Sequence, residues 1–268
     1  MFPLAHAWLL ARVVPEPVPA HYLGCVWPDM LFESPLSHPQ SHRSGAALAA
    51  YAKALADTED TATLRAFATG VLTHGSEPHG FDWYSDEEYR VANPPSRSEE
   101  DGGRPAEERG YAFQRGKALS SDAAAACDVP EYQGWWKAHN FIEMGFEHPL
   151  YAAHPELGDQ LAAACTDERL MEQIARHLAG FFGQPAEGLA TPMRRFREVV
   201  LFRPETAGAW AEKYALQTRL KHSGAQPNVA AIARLIERAE GIIAADGQAY
   251  LDDCATRVGA MLREVGLS

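Results

Sequence analysis

The sequence predicts an all-α protein, a single multi-helix bundle domain. Apolar residues recur at helical spacing through long stretches, and alternating strand patterns closed by tight turn pairs are scarce. The composition agrees: of 268 residues, 46% are hydrophobic and 22% charged, ordinary for a globular chain and incompatible with disorder over most of the length.

Taken in order, the opening MFPLAHAWLLARVV is mildly apolar but interrupted by His6 and Arg12. No basic region precedes it, so it reads as the first helix and not as a signal peptide. A Pro-rich stretch follows, GCVWPDMLFESPLSHPQSHRSG, in which Asp29 follows Pro28 in a turn and His38 and His42 come next. The next helix carries Leu64, Phe67, Val71 and His74 at i, i+3, i+7 and i+10, so His74 points where the core side chains point. Gly75 and Pro78 end that helix and deliver Glu77, His79 and Asp82 within a turn or two.

Pro94–Arg109 has no large apolar residue and cannot bury a face of its own; it reads as a long polar loop, either solvated or a flap over a site. Beyond it, Trp136, His139, Glu143 and Phe146 share a stripe in GWWKAHNFIEMGFEH. Three further stripes follow: Leu170, Ile174, His177 and Phe181; then Val229, Ile232, Ile236, Ala239 and Ile243; then Leu251, Cys254, Val258 and Met261. No linker interrupts the order. Residues 1–154 are expected to carry the chemistry and 155–268 to pack on them as helices of one continuous domain.

The net charge of −12 excludes a duplex nucleic-acid binder that works through lysines and arginines. Any phosphate handled here needs metal ions for positive charge. The four cysteines (Cys25, Cys127, Cys165, Cys254) are scattered with no CxxC pair, which predicts reduced, structural thiols. No apolar run reaches membrane-spanning length, about 18 residues, and a cytoplasmic protein is expected.

Histidine is the uneven residue. Nine of the 11 lie in the first 154 positions: His6, His21, His38, His42, His74, His79, His139, His148 and His154. Taken singly, each reads as a core or surface histidine. Two stripes share one anomaly, however. His74 precedes two carboxylates and a second imidazole, and His139 sits four residues before Glu143 on an apolar face bracketed by Trp136 and Phe146. An inward carboxylate is costly unless paired or metal-bound, and imidazole with carboxylate suits zinc and related ions.

Together these pieces resemble the zinc-dependent phospholipase C family and its S1/P1-type nuclease relatives. The resemblance covers roughly the first 150 residues. It implies an all-helical cleft holding two or three zinc ions. His6 matches an N-terminal ligand; Asp29 with His42 matches an aspartate followed by a histidine; His74, Glu77 or Asp82, and His79 match a helical histidine, an acid and another histidine; His139 and Glu143 match a closing H-x-x-x-E. The family's metal-bridging aspartate falls at Pro78 here, so Glu77 or Asp82 substitutes or one metal is lost. A fainter similarity links FPLAHAWLLA…LGCVWPD to acyl-carrier-protein phosphodiesterases, also helical and metal-dependent. The implied activity is phosphoester hydrolysis by metal-activated water, with Asp29, Glu77 or Asp82 as ligand, bridge or base, on a small phosphoester or phospholipid substrate. Trp27, Trp83, Trp135 and Trp136 are candidates for an apolar or stacking wall. The alternative is a helical metal-binding or interaction protein that has lost turnover.

Overall fold

The computed structural model describes residues 2–30, 33–87, 110–200 and 206–266. The predicted polar loop, Pro94–Arg109, lies outside them. Every regular element among the described residues is helical, as the periodicity predicts: fourteen α-helices, with three short 3₁₀ turns and one π turn.

Contacts divide the chain into two units. One contains residues 3–83, 154–203 and 251–268. Its helices are α1 (Pro3–Val13), α2 (Pro19–Val26), α3 (His38–His42), α4 (Gly45–Ala54), α5 (Glu59–His74), α9 (Pro155–Thr166), α10 (Glu168–Phe182) and α11 (Ala186–Val200). The other contains residues 1–2, 84–153 and 204–250, with α6 (Tyr111–Gly116), α7 (Ser120–Cys127), α8 (Gly134–Ala153), α12 (Ala207–Lys221) and α13 (Val229–Ile243). The last helix, α14 (Gly247–Glu264), has its first turn in the second of these and the remainder in the first.

The first unit is organised on α5. Thr58 precedes it in an extended conformation and accepts a hydrogen bond from the Thr61 N–H, while Glu59 and Asp60 place negative charge at the positive end of the helix dipole. The predicted stripe is the buried one: Leu64, Phe67, Val71 and His74 are all essentially inaccessible. Against this helix pack α2 most extensively, then α4, α1 and α10.

The α2–α5 crossing is unusually close because both helices offer a glycine at it. A Cβ at Gly24 would lie 2.1 Å from the Phe67 carbonyl oxygen, and one at Gly70 2.2 Å from that of His21. Glycine in a helix interior costs about 1 kcal/mol relative to alanine, so its presence on both faces marks a contact that admits nothing larger.

Elsewhere in this unit, α10 starts on an Asp167 cap that accepts from the Leu170 N–H and stops at Gly183 in the left-handed conformation (φ 66°). Its Leu170, Ile174 and Leu178 are buried, and His177 stands at the edge of that stripe, 2.7 Å from Asp60.

The second unit is built on α8, which meets α6, α7 and α13. Gly116 and Gly145 again allow close backbone approach, to Ala138 and to Ala239 respectively. The α13 stripe of Ile232, Ile236, Ala239 and Ile243 is buried, and Asn228 caps its first turn. All four cysteines are buried and none forms a disulfide. No helix among the described residues is long and apolar enough to cross a membrane.

Phe67 of α5 is fully buried, its ring 5.6 Å from the Trp27 indole. Phe67→Ala is therefore expected to cost about 3–5 kcal/mol by transfer and cavity terms together. Equilibrium denaturation in urea checks this, and a loss below about 1 kcal/mol, the scale of an ordinary surface change, counts against the packing described.

Candidate metal centre

Four side chains from the ends of four segments meet in the first unit. Asp29 closes the 3₁₀ turn Trp27–Asp29 that continues α2, and His42 and His74 are the final residues of α3 and α5. Asp82 is delivered by a turn in which the Gly80 N–H donates to the Gly75 carbonyl at 2.8 Å. A Cβ at Gly80 would lie 2.5 Å from that same carbonyl oxygen, so this reversal needs glycine. Phe81, fully buried, anchors the returning chain edge-on to the His6 ring.

One ligand atom from each of Asp29, His42, His74 and Asp82 lies within 4.8 Å of all the others. The His74 Nε2 is 3.1 Å from Asp82 Oδ2 and 3.8 Å from Asp29 Oδ1. The His42 Nε2 is 3.4 Å from each of those oxygens. These spacings surround the edge of a tetrahedron whose metal–ligand bonds are about 2.0–2.1 Å, which is about 3.3 Å. His42, His74 and Asp82 are buried, whereas the Asp29 side chain keeps 36% of its surface; the cluster meets solvent there.

The ring orientations are fixed from behind. The His74 Nδ1 lies 2.7 Å from the Cys25 backbone carbonyl, which can only accept, so that nitrogen carries the hydrogen. In the neutral ring the Nε2 lone pair then faces the carboxylates. It makes no hydrogen bond, although Asp82 Oδ2 is within reach. His42 is held likewise, its Nδ1 facing the His38 carbonyl at 3.2 Å and the Ser41 hydroxyl at 2.8 Å. An imidazole tied through one nitrogen to a carbonyl and presenting the other is the arrangement that orients metal-ligating histidines.

Electrostatics tell the same story. Burial works against charge on Asp29 and Asp82, yet both carboxyls are held below the usual carboxylate range, with His74 and His42 among the groups that lower them. Burial would likewise lower His42, but Asp29 and Asp82 outweigh it and hold that imidazole up at about 10. The cluster thus retains two anionic groups and, without a metal, a proton on His42 between them.

His6 lies beside this group. Its ring stacks on His74 with centroids 3.7 Å apart, and its Nε2 is 3.4 Å from Asp82 Oδ1, the oxygen turned away from His42 and His74. Burial, reinforced by His74, pushes His6 down to about 3. Neither of its ring nitrogens makes a hydrogen bond, an orphaned pair in a residue that is 1% exposed.

The other predicted site residues are placed as follows. Glu77 is exposed and 4.0 Å from Arg43, so between the two alternatives Asp82 is the acid that the turn brings back to His74. His79 is exposed and stacks flat on Trp83 at 3.9 Å. His139 and Glu143 belong to the second unit, both buried on α8. There the His139 ring stacks on Phe113 at 4.3 Å, and Glu143 accepts from the Ser85 hydroxyl at 2.7 Å. Of the four tryptophans, Trp27 is core, packed against Phe67 and Phe182; Trp135 and Trp136 pack on Phe113 in the second unit.

Gly24, Gly70 and Gly80 escaped the sequence reading because glycine adds nothing to an apolar stripe. The available signal was a glycine inside each of two otherwise regular helices, which has a packing reason more often than not. No protein-family model matches the chain, and neither curated proteins nor solved structures give a match.

Proposed function

We propose that this chain is a metal-dependent phosphoester hydrolase with a zinc site made by Asp29, His42, His74 and Asp82. The observation that carries the reading is the convergence of two carbonyl-anchored imidazoles on two carboxylates at tetrahedral spacing. Two nitrogen and two oxygen donors suit zinc. A divalent ion bound there would supply Lewis acidity, lowering the pKa of a water to about 7 and neutralising phosphoryl oxygens, which answers the anion-binding problem of a chain with net charge −12.

The protein's own contributions are distinct. The Cys25 and His38 carbonyls hold the ring orientations, and Asp29 occupies the solvent side from which a small phosphoester or phospholipid headgroup enters. The second oxygen of Asp82 lies 3.4 Å from the His6 Nε2, and these two groups would hold a second ion if one binds. In this reading Asp82 takes the role that the sequence pattern leaves between it and Glu77.

A second reading, metal binding without turnover, is favoured by the donor count. Four protein ligands would complete a tetrahedral set around a zinc ion, whereas catalytic zinc commonly keeps one position free. Protein purified without chelator is expected to carry zinc and to hydrolyse bis(4-nitrophenyl) phosphate, with activity lost on chelation and restored by metal. Metal with no hydrolysis of any ester tested selects the second reading; no metal defeats both. His6→Ala is expected to lower the zinc stoichiometry while leaving the first site filled, as measured by mass spectrometry under native conditions.

A further inference from the structure

We infer that Gly24 and Gly70 are positioning residues for the metal centre: their contact brings the Cys25 carbonyl onto His74 and thereby fixes which nitrogen of that ring faces the ion. The inference rests on the metal-site reading above. Cys25 follows Gly24 directly, and a Cβ at Gly70 would lie 2.8 Å from the Cys25 N–H nitrogen as well as 2.2 Å from the His21 carbonyl oxygen. At Gly24, a Cβ would meet the Phe67 carbonyl at 2.1 Å. Those neighbours are backbone, so neither can turn aside as a flexible side chain would. Any added methyl must move α2 off α5.

The hydrogen bond at stake spans that gap. His74 lies one helical turn beyond Gly70 on α5, and its Nδ1 reaches the Cys25 carbonyl at 2.7 Å. A shift of α2 by even one ångström takes this contact out of hydrogen-bond range. The ring would then be free to turn or to exchange tautomers, and the orientation of Nε2 toward Asp82 and Asp29 would no longer be imposed.

Two measurements test this. In metal-free wild-type protein carrying labelled histidine, the His74 imidazole is expected to show the Nδ1–H tautomer in its long-range proton–nitrogen spectrum; an Nε2–H tautomer overturns the inference. In Gly70→Ala, zinc affinity measured by chelator competition is expected to fall about ten- to hundredfold, the range seen when outer-shell partners of ligands are removed, with the cobalt(II) spectrum altered. Leu48→Ala, which opens a cavity at a fully buried position of α4, serves as the stability control and is expected to leave affinity unchanged. Unchanged affinity in folded Gly70→Ala, or an equal loss in Leu48→Ala, overturns the inference. Should Gly70→Ala fail to fold, the tautomer in the wild-type protein decides. Absence of zinc binding in the wild type defeats the functional reading instead, and the tautomer still reports on the crossing.

Discussion

Asp82→Ala is expected to reduce zinc retained after gel filtration to background while the far-UV spectrum stays helical. The side chain is 5% exposed, and each of its oxygens faces an imidazole: Oδ2 stands 3.1 Å from His74 and 3.4 Å from His42, Oδ1 3.4 Å from His6. Without it, one half-exposed carboxylate is left to balance an ion. Asp82→Asn separates charge from volume, since it keeps the shape and removes the anion; it is expected to behave like the alanine variant. Glu77→Ala is the informative comparison. That carboxylate is 61% exposed, and its replacement is expected to leave zinc content unchanged. Equal losses at both positions would show that Glu77 turns inward when metal is present.

The second large effect concerns pH. His42 is held up at about 10 against an ordinary value of 6.5, so its contribution to folding in the metal-free protein is fully present below pH 6.5 and is lost as pH rises through about 10. Asp29 and Asp82 are depressed, so theirs is present above the ordinary carboxylate range and is lost only in acid. His6, pushed down to about 3, acts with the opposite sign to His42 and only below pH 6.5. Chelated protein is therefore expected to lose thermal stability steadily from pH 7 to 10. A bound cation replaces the His42 proton, so the zinc-loaded protein is expected to stay level over that interval. Free zinc at about a hundred times its dissociation constant adds about 2.7 kcal/mol, enough to raise Tm by roughly 5–10 °C in a chain of this size. Calorimetry across the range, with and without chelator, should show two curves that diverge with rising pH. Parallel curves would mean that the ion and the proton occupy different places.

How far the sequence revealed this centre differs from residue to residue. His74 was legible because it continues a stripe of Leu64, Phe67 and Val71, and a polar group on such a stripe must find a partner inside. The helices were legible for the same reason, since periodicity reports which face is buried. The choice between Glu77 and Asp82 was not, because it depends on where the Gly75–Gly80 reversal sends the chain, a matter of backbone contact and not of residue type. His6 taken alone read as a core histidine, and it is buried, yet its neighbours are His74 and Asp82, which only the α1–α5 contact brings to it. His139 and Glu143 repeat the pattern of an imidazole and a carboxylate on a buried stripe, in the second unit beside Phe113 and Ser85. Spacing along one helix identifies a face; it does not say which other helix that face will meet.

His42 and His74 terminate α3 and α5, Asp29 ends a single 3₁₀ turn, and Asp82 follows the reversal at Gly80. His42, His74 and Asp82 are buried, whereas Asp29 keeps solvent access, so the Asp29 turn opens at the least free-energy cost while the helix interiors around Leu64 and Phe67 open only with the whole unit. An ion held there would thus exchange through the momentary loosening of Asp29, on a clock decoupled from global unfolding. Tight retention at equilibrium and rapid turnover of the bound ion are compatible in such an architecture, because affinity is set by all the donors together and release by the loosest of them.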